Sequence, residues 1–186
     1  KTSETVLFAG RFVAAKGLIY LLQAIPKIVR CHPDVKFLFA GPGNSSHYEA
    51  LLRKSHVPSK NFQFLGYLKD RKEVLECYRR CAIFVAPTLY ENLPIRILEA
   101  MACSKPVVAT DVCAIPEVIT SHKDGVLVPR KSSAALAQAI SELLANPERR
   151  SQIGQKARQT TLERFDWSVN AERVATVYKE VLASAF

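Results

Sequence analysis

Six short apolar runs alternating with stretches of helical periodicity predict an α/β fold: a doubly wound parallel sheet of about six strands, with helices on both faces and extra C-terminal helices. Two observations support the parallel sheet. The runs are apolar at successive positions, as strands covered on both sides require, and the first two close in glycine, where a chain leaving a sheet must turn.

The first run, Thr5-Val6-Leu7-Phe8-Ala9, ends at Gly10, and the second, 35–40, ends at Gly41. Between them Leu18, Leu22, Ile25 and Val29 recur at helical spacing, with Pro26 inside the helix and expected to bend it. Further strands are expected at 62–65, 82–86, 106–109 and 125–128, separated by helices around 46–56, 70–80, 94–103 and 132–145. After Asn146-Pro147 the pattern changes. Residues 148–163 are polar and helical, and Trp167 starts a last helix with Val174, Val177, Tyr178 and Val181 along one stripe. The helices of 148–186 are expected to pack outside the sheet or to reach toward a neighbour. No repeat or low-complexity linker divides the 186 residues, which read as one domain.

An apolar share of 48 % with 23 % charged residues suits a packed core and excludes wholesale disorder. No apolar stretch approaches the roughly 20 residues of a spanning helix. The chain opens at Lys1 and its sole methionine is Met101, so it reads as a piece of something longer, and no signal peptide is visible. Cysteines at 31, 77, 81, 103 and 113 form no C-x-x-C pair and sit in segments that look like core, which points to reduced thiols in a cytoplasmic protein. Cys77 and Cys81 would share a helix face, and buried packing is the better reading for both than zinc.

The net charge of +9 is one-sided: residues 1–90 carry 14 Lys and Arg against 6 Asp and Glu, whereas the remainder is nearly balanced. Such asymmetry suits an anionic partner or a plain solvated basic face. Nucleic acid is the weaker reading, because the basic half lacks interleaved aromatics and any recognised motif.

In doubly wound sheets, ligands bind where strands end and helices begin. Gly10 and Arg11, followed by Lys16 and Gly17, lie at such a point: two cations five residues apart could flank one diphosphate or simply face solvent. Gly41-Pro42-Gly43 starts like a dinucleotide fingerprint, but Ser46 replaces its third glycine, and no P-loop pattern occurs. After the strand at 82–86 come Glu91 in a loop, Pro94 in a first helical turn and Glu99 inside the helix. Two carboxylates eight residues apart on a helical rise stand about 10 Å from each other, too far to act as a retaining glycosidase pair on one bond. They could grip the two ends of an extended ligand; alternatively Glu91 caps the helix and Glu99 bonds to backbone.

These blocks resemble the family-4 (group 1) glycosyltransferases. Glu91 and Glu99 match the E-x7-E signature within Thr88-Leu89-Tyr90-Glu91 and Ile97-Leu98-Glu99-Ala100-Met101-Ala102. Gly10-Arg11-Phe12 with Lys16-Gly17, Phe64-Leu65-Gly66-Tyr67, Ile115-Pro116-Glu117-Val118-Ile119 and Asp124-Gly125-Val126-Leu127-Val128-Pro129 extend the likeness over about residues 5–145. The resemblance implies the C-terminal, Rossmann-like donor domain of a two-domain GT-B enzyme, with a separate N-terminal acceptor domain. It implies that Gly10, Arg11, Lys16 and the stretch Asn92, Leu93, Pro94, Ile95 hold the donor diphosphate. Glu99 would bind the ribose hydroxyls, Gly66, Tyr67 and Leu68 the base, and Glu91 the sugar beside the reacting carbon.

A UDP- or GDP-sugar is then a substrate, no cofactor or metal is expected, and anomeric configuration is generally retained in the family. No two aspartates stand two residues apart to hold a metal, so Arg11, Lys16 and the helix ends are the available substitute for neutralising a departing diphosphate. By analogy with relatives, the basic half could touch a membrane carrying a lipid-linked acceptor. The alternative is a module that binds nucleotide-sugar without transferring it. Asn92-Leu93-Pro94 replaces a common Gly-Phe-Gly, Arg96 stands where a neutral residue is commoner, and Cys113-Ala114 replaces Gly-Gly. These departures bear on the sugar and phosphate end of the donor rather than on the fold.

Overall fold

A computed structural model describes residues 4–92 and 95–184. Six strands, β1 (Thr5–Ala9), β2 (Lys36–Ala40), β3 (Phe62–Gly66), β4 (Ile83–Ala86), β5 (Val107–Thr110) and β6 (Val126–Val128), form one sheet in the order β3-β2-β1-β4-β5-β6. Every pairing is parallel. This is the doubly wound, Rossmann-like arrangement the alternating pattern predicts. The helices are α1 (Leu18–Cys31), α2 (Ser46–Lys54), α3 (Arg71–Arg80), α4 (Ile95–Ala102), α5 (Ile115–Val118), α6 (Ser133–Ala145), α7 (Pro147–Arg164) and α8 (Trp167–Ser184).

Side chains of each strand alternate between two cores. Val6, Phe8, Phe37, Phe39, Ile83, Val85, Val108, Val126 and Val128 face the layer of α1, α2 and α6. Leu7, Ala40, Phe84, Val107 and Ala109 face the other layer, formed by α3, α4, α5 and part of α7. Both faces of the sheet are covered by largely apolar cores, which explains why the strands read as unbroken apolar runs rather than as alternating ones. Helix α1 continues through Pro26 as one element, burying Leu18, Leu21, Leu22, Ile25 and Ile28. Three helix starts are capped by a side chain: Asp70 accepts from the Lys72 amide, Ser132 from Ala135 and Asn146 from Arg149.

Helix α7 closes the open end of the second core. Its Gly154 lies against the Ser104 carbonyl, where an added Cβ would approach to 2.2 Å. Its Thr160 hydroxyl donates to Oδ2 of the buried Asp124 at 2.8 Å, and the other oxygen of that carboxylate accepts the Thr120 amide at 2.7 Å. Helix α8 buries none of its described side chains, and Trp167 is 89 % exposed. No helix among the described residues is long and apolar enough to cross a membrane.

The structure departs from the sequence reading in small elements and in the thiols. Two 3-10 turns, Ala14–Lys16 and Ser59–Asn61, and the four-residue α5 are too short for periodicity to reveal. Leu93 and Pro94 lie outside the described residues. Cys31 and Cys113 are exposed rather than core: Cys31 is the last residue of α1, and Cys113 lies in the connection between β5 and α5. Cys81 lies beyond α3 in extended backbone, so it shares no helix face with Cys77. It is buried, and burial pushes its thiol up to about 12.

Two measurements check this account. Thr160→Val leaves one oxygen of a buried carboxylate without its donor and should lower the unfolding free energy by about 1–3 kcal/mol, read as a lower urea midpoint at unchanged slope. Iodoacetamide at pH 8 should alkylate Cys31 and Cys113 readily and leave Cys81 unmodified until the chain unfolds.

Candidate active site at the carboxyl ends of the strands

Chain direction places the site. Strands β1 and β4 are neighbours, yet β1 leads to α1 on one face and β4 to α4 on the other, which opens a crevice above their carboxyl ends. Three loops are stitched together along its floor. The Gly10 amide donates to the Ala40 carbonyl at 2.9 Å, Phe12 to Pro42 at 2.9 Å, and Gly41 to Gly66 at 2.8 Å. Gly41, at φ +146°, sits so close to Gly10 that a Cβ would come within 2.0 Å of its carbonyl oxygen.

The loop after β1 is in turn seated on the loop after β4. The Leu89 amide and the Thr88 hydroxyl both donate to the Ala15 carbonyl, at 2.8 and 3.0 Å. The Thr110 hydroxyl donates to the Thr88 carbonyl at 2.5 Å, tying in β5. Gly17 caps the turn at φ +63° with its α-carbon over Pro87, where a Cβ would stand 1.9 Å from the carbonyl oxygen. Lys16, the residue before it, is thereby held against the β4 loop.

Above this floor is an open cleft of about 310 Å³. Gly10, Arg11 and Lys16 line one wall, Gly41 and Pro42 the base, Tyr67, Leu68 and Val74 the second wall, and Glu91, Ile95 and Arg96 the third. The Lys16 ammonium pairs with Glu91 Oε2 across 75 residues of sequence. Glu99 stands one helical turn behind, where its Oε2 accepts from Arg96 Nη1 and from the Tyr78 hydroxyl, both at 2.9 Å. Tyr78 is buried against Phe84, and burial followed by the charge of Glu99 pushes its hydroxyl well above the ordinary tyrosine range. That hydroxyl stays protonated and donates throughout the working pH range.

The cleft therefore brings together Gly10, Arg11, Lys16, Tyr67, Leu68, Glu91 and Ile95 of the residues expected from sequence. Glu99 reaches it through Arg96 rather than lining it directly. Gly66 closes β3 at φ +68° and gives its carbonyl to the floor, and Asn92 is exposed beside the cleft without lining it. Glu91 Oε2 pairs with Lys16, and Glu99 Oε2 accepts from two side chains. Arg96 is partly exposed yet contributes to the wall. Sequence reasoning passed over Tyr78 and Val74, which come from α3, an element outside every motif, and carry no local signal. Among the described residues no three His, Cys, Asp or Glu side chains gather as a metal set.

A doubly wound sheet with a charged cleft at its switch point defines a Rossmann-like ligand-binding unit. The chain belongs, more particularly, to the glycosyl transferases group 1 family, whose model matches residues 1–160. It is 35 % identical over 189 aligned residues to the phosphatidyl-myo-inositol mannosyltransferase of Mycobacterium leprae, covering 99 % of this chain and 48 % of that protein. It thus spans about half the length of the curated relatives it matches. Its fold superposes on the C-terminal domain of the group 1 family protein LpcC from Francisella tularensis with a TM-score of 0.81 at 25 % identity, covering 88 % of this chain and 87 % of that one. HepE of Anabaena, solved in complex with UDP, has the same fold: TM-score 0.84, 22 % identity, 96 % of this chain and 49 % of that one.

The seating of the two loops and the ion pair above them should separate in stability measurements. Lys16→Met should shift the unfolding free energy by less than about 1 kcal/mol, because both partners are about a quarter exposed and water screens them. Gly17→Ala should cost more than about 2 kcal/mol, since it adds strained backbone to a clash with Pro87. Urea unfolding of the two variants beside the parent checks the order.

Proposed function

We propose that the cleft binds the nucleoside diphosphate of a UDP- or GDP-sugar. On this reading the chain is the donor half of a metal-independent, retaining glycosyltransferase that moves a hexose-type sugar to a glycan, lipid-linked or small-molecule acceptor. The observation that carries it is the convergence of Arg11 and Lys16 from the β1 loop with Glu91 from the β4 loop on one cleft at the switch point. HepE, of the same fold, was solved with UDP bound, which makes UDP a natural first probe.

The chemistry follows from charge. Cleaving a glycosyl–phosphate bond leaves negative charge on the diphosphate, which must be met where it develops. Arg11 offers a fork of donors suited to phosphate oxygens, and Lys16 a compact cation. Gly10 lets the backbone approach, and the stretch Asn92, Leu93, Pro94 and Ile95 is assigned to the diphosphate as well; Leu93 and Pro94 lie outside the described residues. As the diphosphate enters, Lys16 exchanges part of its bond to Glu91 for phosphate oxygens. This frees the Glu91 carboxylate for the sugar, where it accepts hydroxyl hydrogen bonds and faces the positive charge growing at the anomeric carbon. The exposed Tyr67 and its neighbour Leu68 form the platform for the base, and Glu99 receives the ribose hydroxyls. The acceptor and the remainder of the catalytic cleft belong to a separate N-terminal half, so this chain by itself binds donor without turnover. Contact with a membrane surface through the basic half would suit a lipid-linked acceptor.

Titration calorimetry of the chain with UDP and with GDP tests donor binding. One of the two should bind, and Arg11→Ala should weaken it by about tenfold or more, the loss of hydrogen bonds to a charged group. Heat from neither nucleotide would reject the reading. In the two-domain enzyme, Glu91→Gln should slow sugar transfer by at least about a hundredfold while nucleotide affinity stays within about threefold. Unchanged transfer rates would remove Glu91 from the reaction.

A further inference from the structure

Glu99 is held asymmetrically. Its Oε2 accepts two hydrogen bonds, from the Tyr78 hydroxyl and from Arg96 Nη1, each at 2.9 Å, whereas no side chain or amide among the described residues donates to Oε1. The two anchors differ in kind. Arg96 lies on the same helix three residues earlier, and its side chain is 53 % exposed, so water competes for that bond. Tyr78 arrives from α3, in the same layer as α4, is 2 % exposed, and has its ring fixed against Phe84 at a centroid distance of 5.5 Å. A phenol has two torsions and a rigid reach, so its oxygen defines one point in space for the carboxylate to meet. The bond is part-buried and charge-assisted, and Tyr78 is the better shielded of the two anchors.

We infer that Tyr78 is a positioning residue for nucleotide recognition: it pins Oε2 of Glu99 so that Oε1 is presented, pre-oriented, to the vicinal hydroxyls of the ribose. The inference rests on the proposed donor site and adds to it a residue from outside the E-x7-E segment. Its physical content is preorganisation. A glutamate has three side-chain torsions, and one whose carboxylate is already fixed loses less entropy when a diol binds than one that must be ordered at that moment. Both oxygens of a carboxylate can receive hydroxyls, and committing one to the protein leaves a single acceptor edge facing outward. Hydroxyl pairs are then read in one orientation. The high pKa of Tyr78 fits this role, because a group that never ionises near neutrality never turns its donor into a repelling oxyanion.

The test separates positioning from packing by using ribose chemistry as the readout. UDP and GDP are titrated into the chain beside their 2′,3′-dideoxy forms, which keep base and diphosphate and lack only the diol. The parent should prefer the ribonucleotide by at least about tenfold, the worth of hydrogen bonds to a charged acceptor. Tyr78→Phe keeps the ring against Phe84 and removes one oxygen. It should weaken the ribonucleotide by roughly 3- to 10-fold, leave the dideoxy form within about twofold, and so compress the preference. Glu99→Gln should lower the preference further, and adding Tyr78→Phe to it should change little, as residues acting through one another are non-additive.

Equal weakening of both nucleotides in Tyr78→Phe would show that the tyrosine merely holds the fold. An unchanged preference in that variant, with the parent discriminating normally, would overturn the role of Tyr78 while leaving the donor site standing. A parent that binds UDP or GDP without regard to the diol would overturn the assignment of Glu99 together with this inference. Absence of any nucleotide binding would overturn the donor site itself.

Discussion

The seating of Gly17 on the Pro87 carbonyl is the contact on which the cleft depends. Parallel strands deliver their connections to one end of the sheet, but delivery alone leaves the loops free to splay. Here the loop after β1 lies directly on the loop after β4, with the Thr88 hydroxyl and the Leu89 amide both bonded to the Ala15 carbonyl. Lys16 and Glu91, distant in sequence, meet because the residues beside them are already in contact. On the other flank Gly41 does the same for the loops after β1 and β2.

Electrostatics follows from that floor. Each acid of the E-x7-E segment is met by a cation from the cleft wall, Glu91 by Lys16 and Glu99 by Arg96. These pairs are partly exposed and add little to stability. On the proposed reading their consequence is functional: an entering diphosphate takes over the cations as its sugar and ribose take over the carboxylates. The arrangement has the complementarity a nucleotide-sugar needs, with cations toward its phosphates and acceptors toward its hydroxyls.

Much of this was legible beforehand for a definite reason. Strands buried on both faces and helices buried on one leave different periodicities, and all six strands and every helix of eight or more residues left such a trace. The site residues that could be read, Arg11, Lys16, Glu91 and Glu99, sit immediately after strands or in the helix that follows, where the order of elements places ligands. What escaped reading lacked a local signature. Tyr78 looks like one more aromatic on an amphipathic helix. Cys31 and Cys113 have apolar neighbours in sequence, yet Cys31 ends α1 and Cys113 lies in the connection from β5 to α5, and both are exposed.

The amino-acid order by itself determined which segments are strands and which are helices, and it determined that cations follow the first strand and acids follow the fourth. Those are properties of near neighbours, set by side-chain periodicity and by where glycine permits a turn. Only the folded chain decided which cation meets which acid, which oxygen of Glu99 its described neighbours occupy, and that a tyrosine from α3 stands behind it. Such pairings join residues tens of positions apart, and they are settled by how the loops and layers pack together.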